Sequence, residues 1–544
     1  MAALLAFRSI QGSINDDFYT SAVFRVISYI LIAYFACSWL WETICVLYRH
    51  PLRKFPGPKL RLIYPTAFAL LDRITGNHTW QILDWHECYG EVIRSGPNSL
   101  SFTCPAAWQD IYGRRGVHEL RKSRPAGIKL GPPDILDAGH EAHARYRRLM
   151  GPAFSQKAVL RQQPILDKYT NLLLNLIEEK SLSSSPVDFV ELFNYTTFDI
   201  IGELAFGASL GGLANGDTNP WIDSIKRTIR VFPRLALLRR MSKATWVLQR
   251  LFFSRLREQQ RQHRRYVENL LNHRLSSARE SSNIDFVDHF MQAKPDQKGH
   301  TDTLTRSELV RNLDTLMVAG SETVAMLLSG VVYLLLNQPS CMKQCVSEVD
   351  ATFEDETQIA AAGVSQLSYL RACLRETLRL YPPVPCALGR VTGNHQPMRI
   401  AGYLVPAQVS YPYRSEELAD LSQTHVGVPP LAASRASYNW CRPLEFRPER
   451  WLTGALKSSS PYYHDKREAH KPFSHGPRDC LGSNLAWQES SLILARLLWR
   501  FDLELHEKSK DWMVRQSVFG LWDKRPLWVE VSPRKKREEN ESGS

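Results

Sequence analysis

Long stretches in which apolar residues recur every three or four positions run through most of the chain. The longest opens at Thr305, which with Glu308 has the spacing of an N-terminal capping box, and it stops at Asn337-Gln338-Pro339. Its apolar residues lie nearly all round the helix, as is typical of a helix in the centre of a protein. A second strong helical pattern, residues 367–381, ends at a pair of prolines.

Shorter segments of alternating or β-branched residues interrupt these helical patterns. They read "GEVIRSG", "NSLSFT", "MRIAGYLVP" and "FDLEL" and predict the strands of small sheets. No long linker separates residues 61–532, so we expect one large domain despite the length of 544 residues. The predicted fold class is therefore mainly α with small β-sheets.

Near the N-terminus, residues 26–48 carry a single charge, Glu42. At about 1.5 Å per residue they are long enough to cross a hydrocarbon core of roughly 30 Å, so we predict a single-pass transmembrane anchor. Residues 49–60 form a basic, proline-rich hinge, whereas Asp16 and Asp17 lie in the preceding segment, 1–25. The positive-inside rule then places 1–25 in the lumen and the domain in the cytosol. A buried core helix is the alternative, which the basic exit disfavours.

Composition excludes several function classes. The net charge of +13 is spread along the chain and no nucleic-acid motif is present, so we expect no nucleic-acid partner. The ten cysteines are scattered, with no cleavable secretory signal, which favours reduced thiols over a disulfide framework. Residues 533–544, which include "RKKREEN", are expected to form a disordered tail.

The segment "FSHGPRDCLG" is the strongest candidate for chemistry. Cys480 lies where a loop turns into a predicted helix, so free N–H groups and the helix dipole should lower its pKa and favour the metal-binding thiolate. Gly476 and Gly482 would let the backbone approach a flat ligand, and Arg478 could pair with an anionic group on it.

The segment "AGSET", residues 319–323, lies inside the long predicted helix, where glycine costs about 1 kcal/mol relative to alanine. Small residues there make room against the helix face. Thr323 can donate a hydrogen bond to the carbonyl of Ala319 and open space for water, and Glu322 could relay protons. A glycine at this position also suits a simple packing contact.

A third candidate cluster is structural. Glu376 and Arg379 in "RETLR" share one helix face, and "FRPERW" offers Arg450 as a further partner. A buried carboxylate held by two arginines would act as scaffolding.

Together, FxxGxRxCxG, ExxR and AGxET resemble, in order and spacing, the cytochrome P450 superfamily over nearly the whole chain after the anchor. The segments "KFPGPK" and "LILARLLWRFDLEL" are similar to those of microsomal enzymes of filamentous-fungal secondary metabolism. The resemblance implies a cytochrome P450 fold that binds haem b, with Cys480 as the axial thiolate. It also implies that Phe473 packs near the haem. Its propionates are expected to contact Arg478, His143, Arg147 and Arg390.

The implied function is that of a monooxygenase of the endoplasmic reticulum membrane, which activates O2 and most simply hydroxylates a hydrophobic small molecule. Electrons would come from NADPH through NADPH-cytochrome P450 reductase, and Thr323 and Glu322 would organise protons. Val324 stands where many relatives have a second hydroxyl residue. Substrate selection would fall to four regions: residues 125–139, the helix before Ala319, residues 384–389 and the turn at 517–519.

Two other function classes compete with this hypothesis. "HEAH", residues 140–143, resembles a zinc motif, but its histidines are three apart and no third ligand is evident. A haem-binding sensor or an inactive relative is the other alternative, and the intact AGSET argues against it.

Residues 409–423 depart from the family pattern. Deleting them joins Gln408 to Thr424 as "VPAQTHVGVPP", which restores the pattern. The residue pairs at their ends and near Ala419 can be encoded by the signals of a fungal intron. We therefore favour an unspliced intron over a genuine surface insertion, and an inactive product of a mis-spliced gene is an alternative to the active enzyme.

Overall fold

The structure is a computed structural model. It describes residues 25–113, 119–123, 132–183, 186–215, 246–276, 285–292, 294–295, 301–393, 396–407 and 423–534. The predicted lumenal segment, the tail and most of the suspected insertion lie outside these ranges.

Helices make up most of the described chain. Their bounds are α1 Arg25–Arg49, α2 Lys59–Ile63, α3 Pro65–Thr75, α4 His78–Tyr89, α5 Ala106–Tyr112, α6 His140–Met150, α7 Gln156–Arg161, α8 Gln163–Ser183, α9 Phe189–Phe206, α10 Gly212–Asn215, α11 Trp246–Ser276, α12 Phe286–Met291, α13 Arg306–Leu336, α14 Pro339–Thr352, α15 Ala361–Val364, α16 Ser368–Leu380, α17 Pro430–Arg435 and α18 Ser483–Arg500. The mainly α fold class is thereby confirmed.

The strands are short. They are β1 Val92–Gly96, β2 Ser99–Phe102, β3 Arg121–Lys122, β4 Val187–Asp188, β5 Lys294–Pro295, β6 Thr301–Asp302, β7 Arg390–Val391, β8 Met398–Ile400, β9 Tyr403–Val405, β10 His425–Gly427, β11 Phe501–Leu505 and β12 Trp528–Pro533. The largest sheet has the order β1-β2-β10-β7-β3, in which β10 pairs in parallel with β2. The segment 398–406 forms a hairpin rather than one strand, because Ala401 and Gly402 adopt positive φ angles of 49° and 82°.

Helix α13 is the axis of the domain. The Thr305 and Glu308 side chains form the predicted capping box at its start. It packs against α9 on one side and against α16 and α18 on another, and its side chains from Val324 to Leu335 are buried almost without interruption. This burial explains the apolar residues all round the helix.

Helices α1 and α13 are the two described helices long and apolar enough to span a membrane. They differ in burial, because 78% of the apolar window of α13 lies inside the domain, whereas only 6% of that of α1 does. Helix α13 is therefore a core helix. Within the described ranges, little of helix α1 is covered by the rest of the protein, and this helix is the candidate membrane span.

Candidate haem site

A cavity of about 750 Å³ lies between α13 and the Cys480 loop with the start of α18. From α13 it is lined by Arg311, Thr315, Ala319, Gly320 and Thr323. These positions repeat about every four residues, which places them on one helix face. The opposite wall is formed by residues from Lys471 to Leu485. The structure thus brings the AGSET and Cys480 motifs, more than 150 residues apart in sequence, to one space.

Cys480 follows a short turn at Gly476–Arg478 and precedes α18. Its backbone N–H donates to the carbonyl of Phe473 over 2.8 Å, which closes the loop beneath the cavity. The residue lies deep in the protein, yet its side chain is accessible from the cavity.

The prediction of a lowered Cys480 pKa is wrong. Burial raises the pKa of the thiol and the Asp479 carboxylate adds to this, whereas the Gly482 backbone N–H and Arg147 oppose it. Burial penalises the charged thiolate more than the helix start favours it. A metal cation at the sulfur is what would keep this thiol deprotonated.

One side of the cavity is rich in positive charge. Arg478 donates from Nη1 to the carbonyl of Ala138 over 2.9 Å and from Nε to the carboxylate of Glu119. Arg147 donates to the backbone and the carboxylate of Asp479, over 3.0 and 2.7 Å. Both arginines line the cavity, so an anionic edge of a ligand would meet them here.

His143 also lines this side of the cavity but is not a cation at neutral pH. Burial lowers its pKa to about 4, with a further contribution from the positive charge of Arg478. A neutral imidazole can donate a single N–H to an anionic group.

Lys122 is a site residue that the sequence motifs missed. It lines the cavity, and burial together with Arg390 and Arg478 lowers its pKa to about 8. Its ammonium donates to the carbonyl of Leu136. No motif marks this lysine, since only the pairing of β3 with β7 brings it beside the two arginines.

Two predicted ligand contacts occupy different positions. Arg390 is buried over the Tyr112 ring, 5.0 Å from its centre, and is not among the described lining residues of the cavity. At Gly476 (φ +79°) an added Cβ would lie 2.1 Å from the carbonyl oxygen of Tyr112, so this glycine accommodates protein backbone. At Gly482, by contrast, an added Cβ would meet nothing within 4 Å, because the residue borders the cavity.

The AGSET segment has the predicted local geometry. The Thr323 hydroxyl donates to the carbonyl of Ala319 over 2.7 Å. Gly320 lines the cavity, but a Cβ there would approach the Ile201 side chain of α9 to 2.8 Å. The glycine therefore serves helix packing as well as the cavity.

Glu322 is buried and does not line the cavity in the described part of the chain. Its Oε2 lies 3.0 Å from Nζ of Lys524, which also donates to Oδ1 of Asn194 over 2.8 Å. No local pattern predicts this contact, because Lys524 lies 202 residues from Glu322.

The cavity lining fits haem b. Phe473, Leu485 and Ala486 supply an apolar wall, Gly482 leaves open space, and Cys480 presents a sulfur. Arg147 and Arg478 supply the charge that carboxylate groups need. This donor set suits a flat, apolar, dianionic group with a thiolate-bound iron.

The zinc alternative lacks support. Within the ranges that the structure describes, no three His, Cys, Asp or Glu side chains come together as a metal cluster. His140 of the "HEAH" segment instead lies 3.5 Å from the Glu119 carboxylate.

Glu489 is an unexpected acid at the cavity. It is 3% exposed, lines the cavity from α18, and its Oε1 has no hydrogen-bond partner within the described residues. Burial raises the pKa of its carboxyl well above the ordinary value. Burial therefore favours the neutral, protonated form of this side chain in the folded protein.

We expect Glu489→Gln to stabilise the protein increasingly as pH rises. Unfolded glutamate loses its proton near pH 4.5, while the folded protein keeps it, so the wild type loses unfolding free energy above that pH. Thermal unfolding at about pH 6 and about pH 8 should show a larger mutant gain at the higher pH. The exposed Glu504→Gln is the control, and a gain that is equal at both pH values would contradict the neutral acid.

A sequence model of the family described as Cytochrome P450 matches residues 129–528. The trichothecene C-4 hydroxylase of Trichoderma arundinaceum is 38% identical over 494 residues, which cover 90% of this chain and 93% of the relative. The averantin hydroxylase of Aspergillus parasiticus is 37% identical over 491 residues, covering 90% and 94%. Cytochrome P450 monooxygenase stcF of Emericella nidulans is 36% identical over 491 residues, covering 90% and 96%.

Proposed function

Because the chain belongs to the cytochrome P450 family, we propose that it is a haem-thiolate monooxygenase that hydroxylates a hydrophobic small molecule in fungal secondary metabolism. The observation that carries this proposal is the single cavity shared by Cys480 and the Thr323 face of α13. The relatives that are named hydroxylases support hydroxylation over other oxidations.

In this proposal Cys480 holds the haem iron and Phe473 packs beside the ring. Arg147 and Arg478 bind the propionates, with His143 and Lys122 completing that side. Gly482 leaves the ring room, whereas Gly476 and Arg390 support it indirectly through the Tyr112 backbone and ring. When bound, the haem supplies the activation of O2 with electrons from a redox partner.

The residues of α13 position protons and exclude water. The Thr323 hydroxyl donates its own hydrogen to Ala319, so its lone pairs are left to accept a hydrogen bond from a proton donor in the cavity. Glu322 would deliver protons from the Lys524 side of the helix, where its carboxylate is held. Val324, Leu327 and Leu316 make the neighbouring wall apolar, which limits bulk water at the site.

The finer partners follow from the family and from α1. We propose NADPH-cytochrome P450 reductase as the electron donor and the endoplasmic reticulum membrane as the location, with α1 as the single span and the domain in the cytosol. The relatives act in fungal metabolism, and the apolar lining favours a polyketide-, terpenoid- or alkaloid-like substrate. A sensor or inactive relative would have no use for the Thr323 geometry.

The proposed function is tested by deleting the gene and comparing metabolites. The deletion strain should accumulate a compound that lacks one oxygen atom of the mature product. The purified protein, with reductase, NADPH and isotopically labelled dioxygen, should add one labelled oxygen to that compound. Conversion without labelled oxygen in the product would overturn the proposal.

We further propose that residues 409–423 are absent from the mature protein. The flanks of this segment lie together: the Thr424 hydroxyl donates to the carbonyl of Pro406 over 3.0 Å, and the Thr392 hydroxyl donates to that of Ala407 over 2.9 Å. The N–H of Thr392 also donates to the carbonyl of Thr424 over 3.0 Å. A chain that leaves and re-enters at one place supports a direct connection there.

Deletion of residues 409–423 is therefore expected to leave haem incorporation intact or to raise it. The measurement is the ratio of carbon monoxide-binding haem to protein in both chains. Sequencing the mature transcript is the independent check, and reads that retain these fifteen codons would contradict the proposal.

A further inference from the structure

Arg311 is a cationic side chain on the cavity face of α13, and part of its hydrogen-bonding capacity is unused within the described residues. Arg311 lines the cavity and is 19% exposed at its side chain. Its guanidinium makes two ion pairs, 3.2 Å to Asp134 and 3.6 Å to Asp314. Within the described residues it makes no hydrogen bond, and its Nε is buried without a partner. A guanidinium carries five N–H donors, and an unmade hydrogen bond at a buried polar group is costly.

Several hydrogen bonds hold the Asp134 carboxylate that pairs with Arg311. Asp134 accepts the Thr315 hydroxyl over 2.9 Å and the backbone N–H groups of Leu136 and Asp137 over 2.9 and 3.0 Å. This carboxylate therefore remains satisfied whether or not Arg311 is present. Ion pairing with Asp134 in turn fixes the guanidinium beside the cavity.

The charges around Arg311 favour a neutral ligand over an anionic one. Arg311 pairs with two carboxylates, Asp134 and Asp314, so its positive charge is already balanced. An anion would gain little here from net charge, and it would meet the two carboxylates. A neutral oxygen acceptor needs only the N–H donors that Arg311 offers.

The position of Arg311 sets where that oxygen lies in the ligand. Arg311 and Thr323 share a helix face and are twelve residues apart, which is about 18 Å along the axis. Between them lie Thr315, Val318 and Ala319, and across from them Ile135 and Leu136, most of which are apolar. A ligand that reaches both ends is elongated and apolar in its middle.

We propose that Arg311 is a specificity residue that binds a neutral oxygen acceptor, a carbonyl or ether oxygen, at the end of an elongated apolar substrate remote from the oxidised carbon. This inference rests on the proposed monooxygenase function and adds the chemical class of its substrate. Leu316, Val318 and Ile135 would contact the apolar body, and Thr323 would lie near the end that reacts.

The test uses three probes with one apolar frame: biphenyl, 4-acetylbiphenyl and biphenyl-4-carboxylate. Each is titrated into the haem-loaded full chain, and binding is followed by the change in the haem absorption spectrum. The wild type should bind 4-acetylbiphenyl about tenfold more tightly than biphenyl, as one hydrogen bond to a charged group allows. The carboxylate should bind no more tightly than the ketone.

Arg311→Met, which keeps an apolar stem and removes the donors, should bring the ketone-to-biphenyl ratio close to one. Arg306→Met is the matched control, because Arg306 is an exposed arginine of the same helix, and it should keep the ratio. A wild-type ratio near one, no binding of the ketone, the tightest binding for the carboxylate, or a ratio unchanged in Arg311→Met would overturn the inference. The wild-type ratio decides even if the variant does not fold.

The carbon monoxide difference spectrum of the same preparations separates this inference from the proposed function. A normal thiolate spectrum with a ratio near one overturns the role of Arg311 alone. A missing thiolate signature in the wild type overturns the proposed function itself.

Discussion

Replacing Cys480 with alanine is expected to abolish the carbon monoxide difference band of thiolate-ligated haem while leaving the domain folded. The loop around Cys480 is held by its backbone N–H bond to Phe473, which alanine retains. The side chain lines the cavity and alanine keeps its Cβ, so the stability cost should be small. Only the sulfur, the group that the iron needs, is lost.

The control for Cys480→Ala is the same substitution at a cysteine that does not line the cavity. Cys441→Ala is a suitable control, because Cys441 is a partly buried free thiol outside the cavity. Both variants should show the far-ultraviolet circular dichroism and proteolysis pattern of the wild type. A full thiolate band in the Cys480→Ala protein, or its loss in the Cys441→Ala protein, would contradict the assignment.

Local patterns predicted the parts of this protein that depend on neighbouring residues. The capping box at Thr305, the proline stop after α16 and the Thr323 to Ala319 hydrogen bond are all short-range features, and the structure has each of them. Their energies arise within one or two turns, so the sequence nearby is sufficient to specify them.

Features that depend on burial in the tertiary structure could not be predicted from the sequence. The Cys480 pKa was expected to fall because the helix start is visible in the sequence, whereas the burial that raises it is not. Lys122 and Lys524 reach the site through contacts of β3 and of the C-terminal region, and neither lies in a motif. The unpartnered acid at Glu489 likewise follows from packing between helices, which no local pattern encodes.

The sequence predicted two partners of Glu376, and the structure adds further hydrogen bonds to its carboxylate. Arg379 donates to both carboxylate oxygens of Glu376, over 2.9 and 2.8 Å, and Arg450 donates over 3.0 Å, as the sequence suggested. The structure adds the Trp451 indole N–H at 2.9 Å and the Arg447 backbone N–H at 3.0 Å. Burial alone would raise the pKa of Glu376, but these positive and hydrogen-bonding partners hold it below its ordinary value.

Glu376→Ala should consequently destabilise the fold by about 3–5 kcal/mol, the cost typical of breaking a buried ion pair. The loss leaves Arg379 and Arg450, both fully buried, without their shared carboxylate. Arg450 keeps Asp465, but Arg379 keeps only backbone carbonyls, at Ser434, Pro443 and Glu445. Urea unfolding of the haem-loaded protein measures the effect, and an acidic pH should reproduce part of it, because protonating Glu376 removes the same charge.

The control is an exposed acid of the segment that contains Arg450. Glu445 pairs with Arg447 at the exposed surface, so Glu445→Ala should leave the unfolding midpoint close to that of the wild type. Because the Glu376 cluster lies outside the described cavity lining, any Glu376→Ala protein that does fold should keep the thiolate spectrum. A Glu376→Ala protein as stable as the wild type would show that this carboxylate does not hold α16 to the segment that contains Arg450. A folded Glu376→Ala protein with an altered thiolate spectrum would show that the carboxylate also affects the haem site.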